Sequence, residues 1–353
     1  MSNWLLIENS LLIYKSSITQ SKSNYLFFDL DYTLIKPKSK NKFPKDKEDW
    51  EFIYNSNIKL KEEYNKNNII IFTNQSKLNT NDKINDFKYK IENIINTLNI
   101  DIQVYISLKD DKYRKPLWYM FNKMLELNNI TNIDKTKCLY IGDAGGREKD
   151  FSNYDLLFAY NIGITYQTPE EYFLNYPILL KEIPKIELIQ KENKLKKSLT
   201  QELIILVGYP ASGKTYFTKK YLYDYKHINQ DELKTLSKCL TLTEKEIQNK
   251  KSIVIDNTNP SKDTRKKYLD LCKKYNIKSR CIYFDIDINI IKHLNIYREL
   301  IGEKKRIPEI AYKIYKKKFE FPTKEEGYEE IINWNLNLEF KTQKEKEIYL
   351  KIY

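Results

Sequence analysis

The sequence predicts an α/β protein of two domains, each built on a parallel sheet with helices on both faces. Three observations carry this. A chain of 353 residues is longer than one compact core usually needs. Short apolar runs alternate with helical stretches twice over, once before residue 180 and again after residue 200. Each alternation opens on an apolar run that ends in a phosphate-handling motif. Tyr25–Phe28 precedes Asp29-Leu30-Asp31-Tyr32-Thr33, and Leu203–Val207 precedes Gly208-Tyr209-Pro210-Ala211-Ser212-Gly213-Lys214-Thr215.

The elements follow in order. In residues 1–180 strands are expected at 25–28, 69–72, 102–106 and 138–141, with helices near 56–66, 82–98 and 116–127. Residues 181–200 read as a linker, with Pro184, a lysine-rich stretch from Lys191 to Lys197, and scattered aliphatic residues. Residues 201–353 form the second domain. Its expected elements are strand 203–207, helix 214–224, strand 252–256, helix 261–275, strand 280–285 and helices to about 318. The charged tail 341–353 is expected to pack as a short helix or to fray. No internal repeat and no Gly/Ser-rich tract interrupts this plan.

Composition narrows the partners. Net charge is +13, which suggests an anionic partner. Residues 1–180 carry a net +1 and residues 181–353 a net +12. Cys138, Cys239, Cys272 and Cys281 contain no Cys-x-x-Cys pair and read as buried free thiols. His227 and His293 are too few for a histidine-based metal site. No apolar run reaches the length of a membrane span. Trp4–Ile7 is broken by Glu8 and has no basic lead, so it is not a secretory signal. An intracellular protein, nuclear or cytoplasmic and not secreted, is expected.

Asp29 and Asp31 stand two residues apart at the end of a buried strand. That spacing puts both on one side, at the crevice where parallel sheets bind ligands. One carboxylate can attack phosphorus and the other can protonate the leaving oxygen. Two anions approaching each other call for Mg²⁺, and the phosphate calls for a cation. Further strand ends supply partners: Thr73-Asn74-Gln75 after Ile69–Phe72, and Gly142-Asp143 after Leu139–Ile141. Arg114-Lys115-Pro116 is expected to open a helix and bring the cation, and Asp155 follows. These elements in this order resemble the haloacid dehalogenase superfamily of phosphatases.

Gly-x-x-x-x-Gly-Lys-Thr between a strand and a helix is a nucleotide cradle. Its backbone wraps phosphates, Lys214 reaches the terminal phosphates and the Thr215 hydroxyl holds Mg²⁺. Asp256 ends a second strand near the metal or substrate. Asp231 reads two ways, as the cap of a helix beginning Glu232-Leu233 or as general base on a hydroxyl acceptor. Arg298, with Lys304-Lys305-Arg306, resembles a lid that clamps phosphates.

The whole chain resembles the animal and viral type of polynucleotide kinase 3′-phosphatase. The phrases Phe28–Ile35, Ile71–Gln75, Tyr113–Pro116, Gly142–Arg147, Lys149–Ser152, Asp256–Pro260 and Phe319–Thr323 carry the match. The resemblance implies a haloacid dehalogenase-like phosphatase domain followed by a P-loop kinase domain. Asp29 would attack a 3′-phosphate and form an aspartyl-phosphate, and Asp31 would protonate the 3′-oxygen and then activate water. Thr73 and Lys115 would hold the phosphate, with Asn74 on the substrate. Asp29, Asp143 and the Asp31 carbonyl would bind Mg²⁺, with Asp155 as the acid of the fourth motif. In the kinase, ATP would sit on 208–215, Asp231 would deprotonate a 5′-hydroxyl, and Asp256 and Asn257 would place the acceptor.

The implied partners are DNA ends bearing 3′-phosphate or 5′-hydroxyl, with RNA as the alternative, together with ATP and a ligase, and no membrane. A monomer is expected. Small-molecule phosphatase–kinase fusion and an inactive DNA-binding scaffold are the competing readings. Tyr32 stands where the family usually has Gly, Ser76-Lys77 replaces a glycine-containing continuation, and Gln230 stands where the family has Arg. The forkhead-associated domain of the animal enzymes is not expected.

Overall fold

The computed structural model of the chain describes residues 3–353 apart from 17–21, 179, 181, 184–185 and 187–194. It divides into two compact units, Met1–Lys185 with Ile352–Tyr353, and Ile186–Lys351. Most of the expected linker 181–200 lies outside the described residues.

Among the described residues, the first unit contains β1 (Trp4–Ile7), β2 (Leu11–Tyr14), β3 (Asn24–Phe28), β4 (Ile35–Lys36), β5 (Glu51–Phe52), β6 (Asn67–Asn74), β7 (Ile102–Ser107), β8 (Cys138–Ile141) and β9 (Thr165–Gln167). Seven strands form one sheet in the order β1-β2-β7-β6-β3-β8-β9, while β4 and β5 pair as a small ribbon. From β7 to β9 every pairing is parallel. The continuous apolar run of β3 follows from burial on both faces. Leu26 and Phe28 pack with Ile69 and Ile71 on one face. Tyr25 and Phe27 pack with Ile70 and Phe72 on the other.

The β1–β2 hairpin is an element the sequence reading did not anticipate. It pairs antiparallel with itself and with β7, so the sheet is parallel only in its interior and on its far side. Its turn uses Glu8 and Asn9 at φ 51° and 50°. Such a turn normally announces itself through Asn-Gly or Asp-Gly, and glycine is missing here.

The second unit contains β10 (Glu202–Val207), β11 (Lys226–Ile228), β12 (Ile253–Ile255), β13 (Lys278–Phe284) and β14 (Glu330–Trp334). They form one parallel sheet in the order β11-β12-β10-β13-β14. Strand β14 also lies beyond the expected elements. Leu203, Ile205 and Val207 face one core, and Ile204 and Leu206 face the other. A buried ion pair ties the first residue of β10 to β13: Arg280 Nε and Nη2 each donate to Glu202 at 2.6 Å. Such a bidentate pair carries geometry as well as charge.

The helices Ser56–Tyr64, Asn81–Leu98, Lys214–Tyr221 and Lys262–Tyr275 start within a residue of expectation and two stop short. The helix expected at 116–127 spans Tyr119–Leu127 instead. Lys115 therefore sits in a turn, with Arg114 N–H donating to Asp111 O and Leu117 N–H to Arg114 O. Pro116, which has no N–H, follows it through a cis peptide bond. The tail forms helix Gln343–Tyr349, capped by Thr342 and anchored by buried Ile348 and Tyr349. All four cysteines are free and buried. Among the described residues no helix is long and apolar enough to cross a membrane.

Candidate active sites

The carboxyl ends of β3, β6 and β8 converge in the first unit. Asp29 follows β3, Thr73 lies near the end of β6, and Asp143 follows β8 by two residues. Asp155 enters from the first turn of helix Tyr154–Ile162. The buried Lys115 joins them. Its Nζ lies 2.5 Å from Asp29 Oδ1, 2.7 Å from Asp155 Oδ1, 2.8 Å from Phe72 O and 2.9 Å from the Tyr140 hydroxyl. Burial alone would lower the lysine pKa, but Asp155 and Asp29 raise it, so the ammonium form is held. Tyr140 in turn donates to Asp155 Oδ1 at 2.8 Å.

Asn74 spends its amide on the backbone of Lys115. Its Oδ1 accepts the Lys115 N–H at 2.9 Å, and its Nδ2 donates to Lys115 O at 3.1 Å. Asn74 thus supports the turn that carries Lys115, and each end of its amide keeps one further hydrogen-bond site. Gly142 is glycine because Asp155 packs where a side chain would be. A Cβ there would lie 2.4 Å from Asp155 Cγ. Arg147 braces the same loop: its Nη2 donates to Asp143 O at 3.0 Å and its Nη1 to Glu170 at 2.8 Å.

Carboxylate oxygens of Asp29, Asp143 and Asp155 lie within 4.8 Å of one another. Burial raises Asp29 to about 7 against the pull of Lys115, with Asp155 and Asp31 adding repulsion. Burial and the charges of Asp29 and Asp155 raise Asp143 to about 8. Three acidic groups crowded this way fit a hard divalent cation, which would relieve the repulsion. The carboxylate of Asp31 lies outside this cluster. Its Oδ2 accepts from Gln75 Nε2 at 2.6 Å and its Oδ1 from Lys90 Nζ at 3.3 Å. Gln75 Nε2 also reaches Thr73 Oγ1 at 3.1 Å.

In the second unit the loop 208–215 joins β10 to helix Lys214–Tyr221, with Gly213 at φ 89° as the N-cap. Lys214 Nζ folds back on the loop, 3.0 Å from Gly208 O, 2.6 Å from Tyr209 O and 3.2 Å from Ser212 Oγ. Burial pushes this amine down to about 8, opposed by Asp256 and reinforced by Arg298. Thr215 Oγ1 donates to Asp256 Oδ2 at 2.7 Å, and His227 Nε2 lies 2.9 Å from the same oxygen. Burial favours the neutral form of Asp256, but the hydrogen bonds from His227 and Thr215 prevail and lower its pKa.

The short helix Gln230–Leu233 is capped by Asn229, whose Oδ1 accepts the Asp231 N–H at 2.7 Å. Asp231 is not the cap and is exposed. Asn257 Oδ1 accepts the Gln230 N–H at 2.7 Å, while its buried Nδ2 has no partner among the described residues. Arg298 lies in the last turn of helix Ile288–Leu300, and its buried Nε is without a partner among the described residues. The Arg298 donor, at a position singled out from the sequence, suits an anionic ligand. In the expected lid, Arg306 is paired with Glu299 at 2.6 Å and Lys304 and Lys305 are exposed.

The comparisons agree with this geometry. Residues 24–173 match the family model described as polynucleotide kinase 3 phosphatase, and residues 233–322 match an AAA domain. A bifunctional polynucleotide phosphatase/kinase of Schizosaccharomyces pombe is 37% identical over 338 residues, covering 92% of this chain and 83% of that protein. The chain belongs to the bifunctional polynucleotide phosphatase/kinase family. A putative member from Acanthamoeba polyphaga mimivirus is 34% identical, covering 86% of this chain and 82% of its own length. A polynucleotide 3′-phosphatase of Saccharomyces cerevisiae matches 42% of this chain at 30% identity, over 87% of its own length. Membership makes the chain a two-activity enzyme, a Mg²⁺-dependent 3′-phosphatase and an ATP-using 5′-kinase.

Sequence reading named Gln75 only as an amide at a strand end, and missed Lys90, Tyr140 and His227 as site groups. Lys90 left one signal. It occupies a place in the apolar stripe Phe87, Ile91, Ile94, Leu98 of its helix, where a solvated lysine would not lie.

Proposed function

We propose that the chain heals DNA strand ends, with the residue roles that follow. The observation that carries a polymer substrate is the rim of the phosphatase site. Phe43 and Phe151 are exposed there at 56% and 85%. Lys77 Nζ lies 3.6 Å from the Phe43 ring centre, and Lys42 Nζ lies 5.2 Å from that of Phe151. Tyr32, beside Asp31, ties this loop down by donating to Lys42 O at 2.6 Å. Exposed rings interleaved with ammonium groups read base faces and phosphates of a single strand. DNA supplies both features in full, and neither demands a 2′-hydroxyl.

In this reading Asp29 attacks the 3′-phosphate. Lys115 and Thr73 hold its oxygens, and Asp31 gives a proton to the departing 3′-oxygen. Asp29, Asp143 and Asp155 would hold Mg²⁺, which would neutralise the approaching anions. In the kinase, loop 208–215 cradles ATP, Asp231 takes the proton of the 5′-hydroxyl, and Arg298 offers its free donor. A ligase would act on the products. Four buried, unpaired cysteines support a reducing, intracellular setting.

The test offers labelled DNA and RNA with 3′-phosphate or 5′-hydroxyl ends to the full chain, to Asp29→Asn and to Lys214→Ala. Asp29→Asn should lose 3′-phosphate removal by several powers of ten and keep 5′-phosphorylation, and Lys214→Ala should do the reverse. A stronger reaction on RNA ends, or loss of both activities in one folded variant, overturns the reading.

A further inference from the structure

Lys90 presents a physical problem that the fold does not solve. It sits on helix Asn81–Leu98 among Phe87, Ile91, Ile94 and Ile95, and its side chain is 6% exposed. Burying an ammonium among apolar side chains is expensive unless it is paired. Its ion-pair partner is Asp31, with Nζ 3.3 Å from Oδ1. A methionine or leucine at position 90 would fit the same stripe at no electrostatic cost. The lysine therefore serves the carboxylate, not the core.

The other oxygen of that carboxylate is held as well. Gln75 Nε2 donates to Asp31 Oδ2 at 2.6 Å and bridges on to Thr73 Oγ1 at 3.1 Å. Gln75 follows β6 directly and donates its N–H to Ser107 O at 2.7 Å, so the bridge stands on the sheet. The Asp31 backbone is held in a turn bridged to Ile35, but its side chain is 37% exposed. Without the two donors its carboxyl group would be free to turn. With them each oxygen keeps a lone-pair site for a proton.

We propose that Lys90 is a positioning residue: with Gln75 it aims the Asp31 carboxyl group at the leaving 3′-oxygen. This rests on the reading of Asp31 as the acid. In the first step a bond forms between Asp29 Oδ and phosphorus and the bond from phosphorus to O3′ breaks. The electron pair goes to O3′ together with the Asp31 proton. Water then attacks phosphorus, its proton goes to Asp31, and inorganic phosphate leaves Asp29. Lys90 touches no reacting atom in either step. It acts by confining Asp31.

The experiment separates positioning from mere folding through the leaving group. A 3′-oxygen leaves as an alkoxide and needs a proton, whereas p-nitrophenolate is a stable anion at neutral pH and does not. The value of kcat/KM reports steps up to the first irreversible one, here formation of the aspartyl-phosphate. Lys90→Met, Lys90→Gln and Asp31→Asn are compared in the full chain on a 3′-phosphorylated oligonucleotide and on p-nitrophenyl phosphate. Lys90→Met should lose roughly 10- to 100-fold in kcat/KM on the oligonucleotide, the worth of one hydrogen bond to a charged group. Its loss on p-nitrophenyl phosphate should stay below about threefold, and Lys90→Gln, which keeps a donor, should recover part of the loss. Equal losses on both substrates in Lys90→Met overturn the proposal, as does a loss confined to KM that grows with oligonucleotide length. If Asp31→Asn itself shows no difference between the two substrates, the acid reading has failed instead.

Discussion

Gly142→Ala should cripple one activity of this chain and spare the other. An added Cβ would stand 2.4 Å from Asp155 Cγ, 2.5 Å from its Oδ2 and 2.6 Å from its Cβ. That is about 1 Å short of the usual contact distance of roughly 3.5 Å. The clash is with the root of a short side chain, which has no flexible end to bend away. Asp155 would therefore move by about 1 Å, and its bonds to Lys115 at 2.7 Å, Tyr140 at 2.8 Å and the Ala144 N–H at 3.0 Å would break. Overpacking of this kind costs about 1–3 kcal/mol, within the roughly 5–15 kcal/mol of a typical domain. The unit stays folded while the phosphate site is misplaced, which lowers phosphatase turnover about 100-fold. The assay measures 3′-phosphate release and 5′-phosphate transfer on one preparation, with a melting curve beside them. A folded Gly142→Ala protein with wild-type phosphatase would refute the reasoning.

Two more outcomes follow from buried charge. Asp29 and Asp143, raised to about 7 and about 8 from an ordinary value of 3.8, hold protons in the folded metal-free state that the unfolded chain has already released. Their contribution to stability therefore falls as pH rises from about 4 to 8. Mg²⁺ should raise the melting temperature more at pH 8 than at pH 6 in calorimetry against a chelator control, and equal increments would count against the three-carboxylate site. Arg265 is fully buried, with Glu326 oxygens at 2.8 and 2.7 Å and the Asn259 and Pro260 carbonyls at 3.2 and 3.0 Å. Arg265→Met should destabilise the second unit by about 3–5 kcal/mol and cut 5′-phosphorylation without touching 3′-phosphate removal, as read by denaturant melts and paired assays.

Much of the architecture was legible because parallel strands buried on both faces read as unbroken apolar runs. Tyr25–Phe28, Ile69–Phe72 and Leu203–Val207 declared themselves that way, and each pointed to the polar residues at its end. Edge elements gave less. Trp4–Ile7 and Glu330–Trp334 are short and partly exposed, so neither reads as an unbroken buried run. The site residues on strand ends were found by spacing, but the groups that orient them were not. Tyr140 looked like one more aromatic in a strand, and His227 like one of two isolated histidines. Asp231 was ambiguous because an Asp at a helix start can be a cap or a general base. The coordinates give the cap to Asn229.

The four acceptors around Lys115 have a consequence for substrate entry. An ammonium group offers three protons, and Asp29, Asp155, Phe72 and Tyr140 already compete for them. A phosphoryl oxygen arriving here finds no vacant donor, so it enters by exchange, taking a proton from a resident partner. The Phe72 carbonyl belongs to a strand and stays, which leaves the Tyr140 hydroxyl and the two carboxylates as the partners that can yield. The nitrogen works as a swivel whose three arms point in diverging directions. An arginine would keep the charge yet spread its donors in one plane. Charge conservation at position 115 is therefore not conservation of the site.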